Sequence, residues 1–339
     1  MRLHRRIGAL AAAGALLMPF VASHAARAAD NKTYVMKLGL ATINDSQHEW
    51  CKRFVAMVEK DSGGQIKGQI YPASQLGSIP REIEGVQFGD IQGYVGPPEF
   101  LSGVDRRFEI TSAPGLITDI PHAVRVATDP QVQKLMLGFG ANKGIHGAAL
   151  FIAQPSSVIA RDPIRHLADF KGKKLRVLAA AMEQEMMNRL GATPVAMTLA
   201  DVLPAIQQGT IDGALAAMTV YTTMHYWDAS KYVTETGQPF IFSMAFLSKK
   251  WFDALPKNLQ TIVDADAQKA AAEINPWEQA FYAKQRRIWM QHGDLISLPA
   301  AEQAQMMKLL SGVGDDVTKG DPALHDAYRV FVDAVNRTK

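Results

Sequence analysis

The chain has 339 residues, of which 47% are hydrophobic and 20% charged, the balance of a globular protein with a large core and length enough for two domains. Its formal charge of +3 comes with no basic stripe or nucleic-acid reader motif, which argues against a nucleic-acid partner. Cys51 is the only cysteine, so no intramolecular disulfide can form and stability must come from the core.

The amino terminus stands apart. Arg2, Arg5 and Arg6 precede an apolar run from Ile7 to Ala22, and small residues follow at Ala26-Arg27-Ala28. This is the layout of an export signal covering residues 1–28 and cut before Ala29, too short in its apolar run for a membrane span. Removing its four arginines from the 36 lysines and arginines leaves 32 cations against 33 carboxylates, so the exported chain would be nearly neutral. Periplasmic location and no stable membrane insertion after cleavage are the expectations.

Tyr34 to Ala41 alternates as a first strand, and Ser46-Gln-His-Glu49 has capping-box spacing for a helix that Gly63-Gly64 can end. Gln65 to Tyr71, a helix from Ile79 to Phe88, and Asp90 to Val95 complete a βαβαβ opening. Pro121 to Gly144 reads as one or two helices broken near Pro130. A strand from Ile145 to Ala153 follows, and Val158-Ile159-Ala160 begins a second αβ set. That set holds the strand Lys173 to Val177, a helix start at Thr198-x-x-Asp201, and a strand from Lys231 to Thr236. Phe240 to Leu247 looks like a strand returning to the first sheet. Beyond Pro256 the pattern is almost all helical, and Pro276 is expected to start or kink a helix. Two αβ halves that exchange strands suit two lobes around a cleft.

Familiar catalytic signatures are missing: there is no G-x-S-x-G, H-E-x-x-H, S-x-x-K or C-x-x-C. Gly138-Phe-Gly140 follows a helix-like segment, a poor setting for a dinucleotide loop. His122, His146 and His225 read as surface or satisfied core residues, and Cys51, Met186, Met187, Met306 and Met307 as core fillers. No cofactor and no metal site are expected. The most informative residue is Arg176, a cation in the middle of the strand Lys-Lys-Leu-Arg-Val. It either forms an internal ion pair, reaches past the strand to water, or points into a cleft to meet an anion.

Four blocks carry a family resemblance: Phe54 to Ile91, Asp169 to Val177, Leu190 to Gly213 and Ala254 to Ala267. With these the chain resembles the DctP family, the periplasmic solute-binding subunits of tripartite ATP-independent periplasmic (TRAP) transporters, over essentially the whole exported length. The resemblance implies an α/β periplasmic binding protein fold, two lobes joined by crossing strands and a long helix spanning both. On that pattern residues 29–152 with about 241–281 form lobe I, and 153–240 with about 282–339 form lobe II. It implies no enzyme but capture of a carboxylate ligand by hinge closure and delivery to small and large membrane permease subunits. A ligand sensor for a membrane signalling partner and a periplasmic enzyme are the alternatives.

In the family, the arginine matching Arg176 holds the ligand carboxylate. Sialic-acid-type members add an arginine near the position of Ser156, and follow the D-G dipeptide with a polar run whose asparagine matches Ala216. Those departures suggest a small monocarboxylate with an apolar or aromatic body. Tyr94, Met218, Phe240 and Gln154 are the remaining candidate contacts, with Tyr221, Tyr226 and Trp227 nearby or in the core.

Overall fold

The computed structural model describes residues 32–339; the export signal and its cleavage site lie outside the described residues. The elements run β1 Tyr34–Gly39, α1 Ser46–Asp61, β2 Ile66–Tyr71, α2 Ile79–Phe88, β3 Gly93–Gly96, α3 Ile120–Thr128 and α4 Pro130–Gly138. They continue through β4 Ile145–Ala160, β5 Lys174–Val177, α5 Ala181–Arg189, β6 Thr193–Ala196, α6 Leu199–Gln207, β7 Gly213–Ala217 and α7 Met218–Thr223. Last come β8 Tyr232–Glu235, β9 Phe240–Ser248, α8 Lys249–Asp253, α9 Lys257–Trp289, β10 Asp294–Ser297, α10 Ala300–Leu310, α11 Val313–Thr318 and α12 Pro322–Arg337.

The strands lie in the order β2-β1-β3-β9-β4-β7-β5-β6, with β8 and β10 branching from β4. Two mostly parallel αβ sets are thus joined through the antiparallel pair β4 and β9. The segments read as separate at 145–153 and 158–160 are one strand of 16 residues. β4 pairs with β9 as far as Pro155, then with β7 and β8 from Ser156 and Val158 onward. It needs to bury both faces along its length, which explains why its run is apolar rather than alternating. A register shift between Ile152 and Gln154 leaves Ala153 as a bulge at the crossing.

Several local expectations needed correction. Helix α1 is capped by Asp45, whose carboxylate accepts from the His48 N–H at 3.0 Å, and Ser46 is already inside the helix. An aspartate one residue earlier is the better cap because its ionised oxygen also answers the positive helix end. Gly63 and Gly64 do terminate α1, at φ of 60° and 81°. Thr198 starts α6 without a side-chain cap bond. β10 was not anticipated; it adds to β8 in parallel.

Pro276 sits inside α9, which runs on for 33 residues. Its neighbours in that helix face the crossing: the Ile152 N–H donates to Asn275 Oδ1 at 3.4 Å, and Gln154 Nε2 donates to Glu278. The first part of α9 packs on α1, where Trp50 Nε1 donates to the Ala267 carbonyl at 3.2 Å and stacks on Phe54 and Phe151. Cys51 is buried in the same core, and burial pushes its thiol well up, as befits a packing residue. The far end of α9 reaches β10 through Trp289, whose Nε1 donates to the Asp294 carbonyl at 2.9 Å. At the start of β7, Gly213 is held against β4 so closely that a Cβ would overlap the Ile159 carbonyl. No helix among the described residues is long and apolar enough to cross a membrane.

Candidate functional site

A cavity of about 40 Å³ lies where the carboxyl ends of both strand sets converge. Open α/β sheets place ligands at such ends, because the chain turns away there and leaves a crevice. Ala41 and Thr42 come from beyond β1, Tyr94 from β3, Ala153 from the β4 bulge, Arg176 and Leu178 from β5, and Ala216 and Ala217 from β7. Asp45 and Gln47 enter at the start of α1, and Thr219 and Val220 at the start of α7. Ile79, Pro97, Phe100, Leu199 and Ile241 close the walls. Apolar walls with a few placed polar groups are the usual make-up of a small-molecule site.

Arg176 is the one cation in that lining, and only 2% of it is exposed. It neither reaches water nor forms an ion pair among the described residues. Its Nε donates to the Met197 carbonyl at 2.9 Å, and one terminal nitrogen donates to the Leu215 carbonyl at 2.9 Å. β5 is the strand between β6 and β7, so a carbonyl just past β6 and one within β7 grip the guanidinium from both sides. Two of its five donors are committed in this way.

Two buried acids, Glu183 and Glu99, act electrostatically on the arginine without forming an ion pair with it. Burial pushes Glu183 up to about 7 against the pull of Arg176, and burial together with Glu183 pushes Glu99 well above the carboxylate range. Glu183 spends one oxygen on the Leu178 N–H at 2.8 Å and leaves the other unpartnered. Burial in turn lowers the proton affinity of Arg176, with Tyr226, Glu183, Tyr221 and Glu99 opposing it. A guanidinium remains ionised through such a shift. A buried charge is costly unless paired, so a cation without an ion pair here is suited to meeting an anion in the cavity.

Also in the lining, Asp45 is 3% exposed and burial raises its carboxyl, against hydrogen bonds from the Thr42 hydroxyl, the His48 N–H and other backbone N–H groups. Thr42 Oγ1 donates to Gln47 Oε1 at 3.3 Å beside it. Tyr94 keeps its phenol proton because burial, then Glu82 and Glu99, push its ionisation well up. It therefore offers a neutral O–H.

Of the residues singled out from sequence, Arg176, Tyr94 and Ala216 lie together on this cavity. The rest do not line it. Gln154 is buried at the crossing, its amide donating to Glu278 and its carbonyl accepting from the Thr219 N–H at 3.1 Å. Ser156 donates to the Pro239 carbonyl at 2.7 Å. Met218 is fully buried, and Phe240 lines a separate open groove with Tyr282 and Gln303. Tyr221 is a core residue whose hydroxyl donates to strand carbonyls at 2.7 Å. Thr42, Asp45, Gln47 and Thr219 were missed. The signal that marks them is positional: each follows directly on a strand of the convergent set or opens the next helix.

The family profile "Bacterial extracellular solute-binding protein, family 7", DctP, matches residues 40–319. The C4-dicarboxylate-binding periplasmic protein DctP of Rhodobacter capsulatus is 25% identical over 79% of this chain and 81% of its own length. The 2,3-diketo-L-gulonate-binding periplasmic protein YiaO of Escherichia coli is 26% identical over 67% of this chain and 69% of its own. In three dimensions a TRAP periplasmic solute-binding protein from Desulfovibrio salexigens, solved with bound orotic acid, superposes with a TM-score of 0.85 at 21% identity. That superposition covers 91% of this chain and 100% of the other. It places the fold among two-lobed binding proteins, and the family is a transporter's binding component rather than an enzyme. The chain belongs to the DctP family of TRAP-type periplasmic solute-binding proteins.

Proposed function

We propose that this protein captures a small organic acid, a monocarboxylate with an apolar or aromatic body, and presents it to small and large membrane permease subunits. One observation carries this reading: the cavity has one buried cation, Arg176, with backbone carbonyls but no carboxylate bound to it. A planar guanidinium can give a carboxylate two parallel charge-assisted hydrogen bonds. Relatives and a structural neighbour named for a dicarboxylate, a diketogulonate and orotic acid support an acid as the ligand. The absence of a second cation in the lining favours one carboxylate over two, and Ile79, Phe100, Leu178, Leu199, Val220 and Ile241 favour an apolar body.

The same reading takes residues 29–152 with about 241–281 and 153–240 with about 282–339 as lobes, as the family resemblance implies, and sets their hinge near the point where β4 changes partners from β9 to β7 and β8. A ligand bonded to Arg176 on one side and touching the start of α1 on the other biases an open–closed equilibrium toward the closed state.

The test is a thermal-shift screen of organic acids on protein stripped by unfolding and refolding. A ligand at 100 times its dissociation constant stabilises the native state by about 2.7 kcal/mol. A shift of several degrees with a monocarboxylate, lost in Arg176→Ala, is the expected result. A hexuronate or C4-dicarboxylate as the tightest ligand would overturn the monocarboxylate reading. No shift with any carboxylate would overturn the acid itself.

A further inference from the structure

The cavity lining holds a carboxylate as well as a cation. Asp45, carried by the other strand set, is buried in the same lining, and one of its oxygens is committed to the His48 N–H at 3.0 Å. The Thr42 hydroxyl and further backbone N–H groups of the turn also act on this carboxyl, and a carboxylate, with about four lone-pair sites, keeps acceptor capacity for a ligand donor. Gln47 and Thr42, which also line the cavity, are bonded to each other at 3.3 Å, and no lysine, histidine or second arginine is in the lining.

Resting on the carboxylate reading of Arg176, we infer that Asp45 is the specificity residue for the distal end of the ligand. It selects acids that carry a hydrogen-bond donor there, a hydroxyl or an N–H, and rejects acids with a second carboxylate. A donor meeting a buried ionised acceptor forms a strong hydrogen bond, whereas a plain alkyl or aryl end leaves that acceptor desolvated and unpaired. A second carboxylate meets like charge in a dry site, the repulsive element by which sites exclude near relatives of their ligand. The ligand class is thus a donor-bearing monocarboxylate, with its apolar middle against the walls.

The test uses matched trios of acids in titration calorimetry at pH 8: plain, ω-hydroxy and α,ω-dicarboxylate straight chains of three to six carbons, and benzoate, 4-hydroxybenzoate and terephthalate. In the best-fitting trio the hydroxy acid is expected to bind roughly ten-fold or more tighter than the plain acid. The dicarboxylate should be the weakest of the three. Asp45→Asn keeps an oxygen for the α1 cap and should fold, as a melting curve will confirm. It should narrow the dicarboxylate penalty by ten-fold or more and shrink the hydroxyl advantage. Equal affinities across the wild-type trio, or unchanged ratios in a folded Asp45→Asn, would overturn the role of Asp45 alone if Arg176→Ala still abolishes binding. Absence of binding by every acid would overturn it together with the carboxylate reading on which it rests.

Discussion

In the cavity lining, Arg176 from one strand set is gripped by the Met197 and Leu215 carbonyls, and Asp45 from the other is gripped by a free N–H of helix α1. Neither charge is matched by an ion pair within 4 Å among the described residues. In both cases backbone dipoles hold the side chain without consuming its charge: carbonyl oxygens for the cation, a helix amino end for the acid. The two supports differ in what they fix. Arg176 comes from the interior of a sheet, where β6 and β7 flank its strand and set its position closely. Asp45 belongs to the first turn of a helix, so its placement depends on that cap bond. A charge kept in place by backbone groups remains available to a ligand, whereas one locked in a salt bridge does not.

The largest test of this contrast is Arg176→Ala. Losing one partner of a desolvated, hydrogen-bonded charge pair costs roughly 2–5 kcal/mol, on the order of 30- to several-thousand-fold in affinity. Calorimetry with the acid found in the screen should therefore show no binding at micromolar ligand. Arg176→Lys should recover little, because an ammonium is a point charge that cannot reproduce the fork reaching two carbonyls and a carboxylate. Near-wild-type affinity in either variant would break the comparison, since Arg176 would then be only a structural cation.

Glu82 sharpens it from the other side. It is fully buried on α2 against Gly39, neither carboxylate oxygen has a hydrogen-bond partner, and burial pushes it up to about 7. Burial outweighs the backbone support that Leu76 and the first turn of α2 lend this charge, so its effect should appear in stability. The folded state holds the proton through a window, from about 4.5 to about 7, where the unfolded chain has lost it. Stability from this group is therefore present below the lower value and lost as pH rises through the upper one, by roughly 3 kcal/mol at full effect. Glu183, pushed up to about 7 as well, acts in the same window and direction. Urea unfolding at pH 5 and pH 8 should show the fall in the wild type and a smaller fall in Glu82→Gln. Parallel losses in the two proteins would mean that Glu82 ionises freely in the fold.

How much of this was legible in the sequence depended on the kind of signal. Elements with strong punctuation, such as α1 ending at Gly63-Gly64, could be placed within a residue or two. β4 was split because its continuous apolar run carries no period, and only the partner change at Pro155 and Ser156 shows why one strand serves both sheets. β10 is four residues long and gains its place by pairing with β8, a contact its own pattern does not encode. In the site, Arg176 stood out because a cation inside an apolar strand is anomalous on its face. Asp45 did not, because an aspartate before a helix is an ordinary cap; what makes it a cavity residue is the convergence of two distant strand ends. Gln154 is a candidate contact from its place at the crossing, and Ser156 from its match to an arginine position in sialic-acid-type members. The structure points both at other parts of the protein instead, Gln154 to Glu278 and Ser156 to Pro239.

The smallest effect separates the two duties of Asp45. As the cap of α1 it satisfies an N–H that has no partner in the helix, and losing such a cap to alanine typically costs about 1 kcal/mol. Burial works against the ionised carboxyl and raises its proton affinity, so part of the capping benefit is already offset at neutral pH. An asparagine retains the acceptor oxygen and carries no charge to desolvate. Asp45→Ala should therefore melt a few degrees below the wild type at pH 8, and Asp45→Asn at or slightly above it. If asparagine melted as low as alanine, the negative charge itself would be what α1 requires. Asp45 would then be held ionised mainly for the helix, and its acceptor capacity toward the cavity would be a by-product of capping.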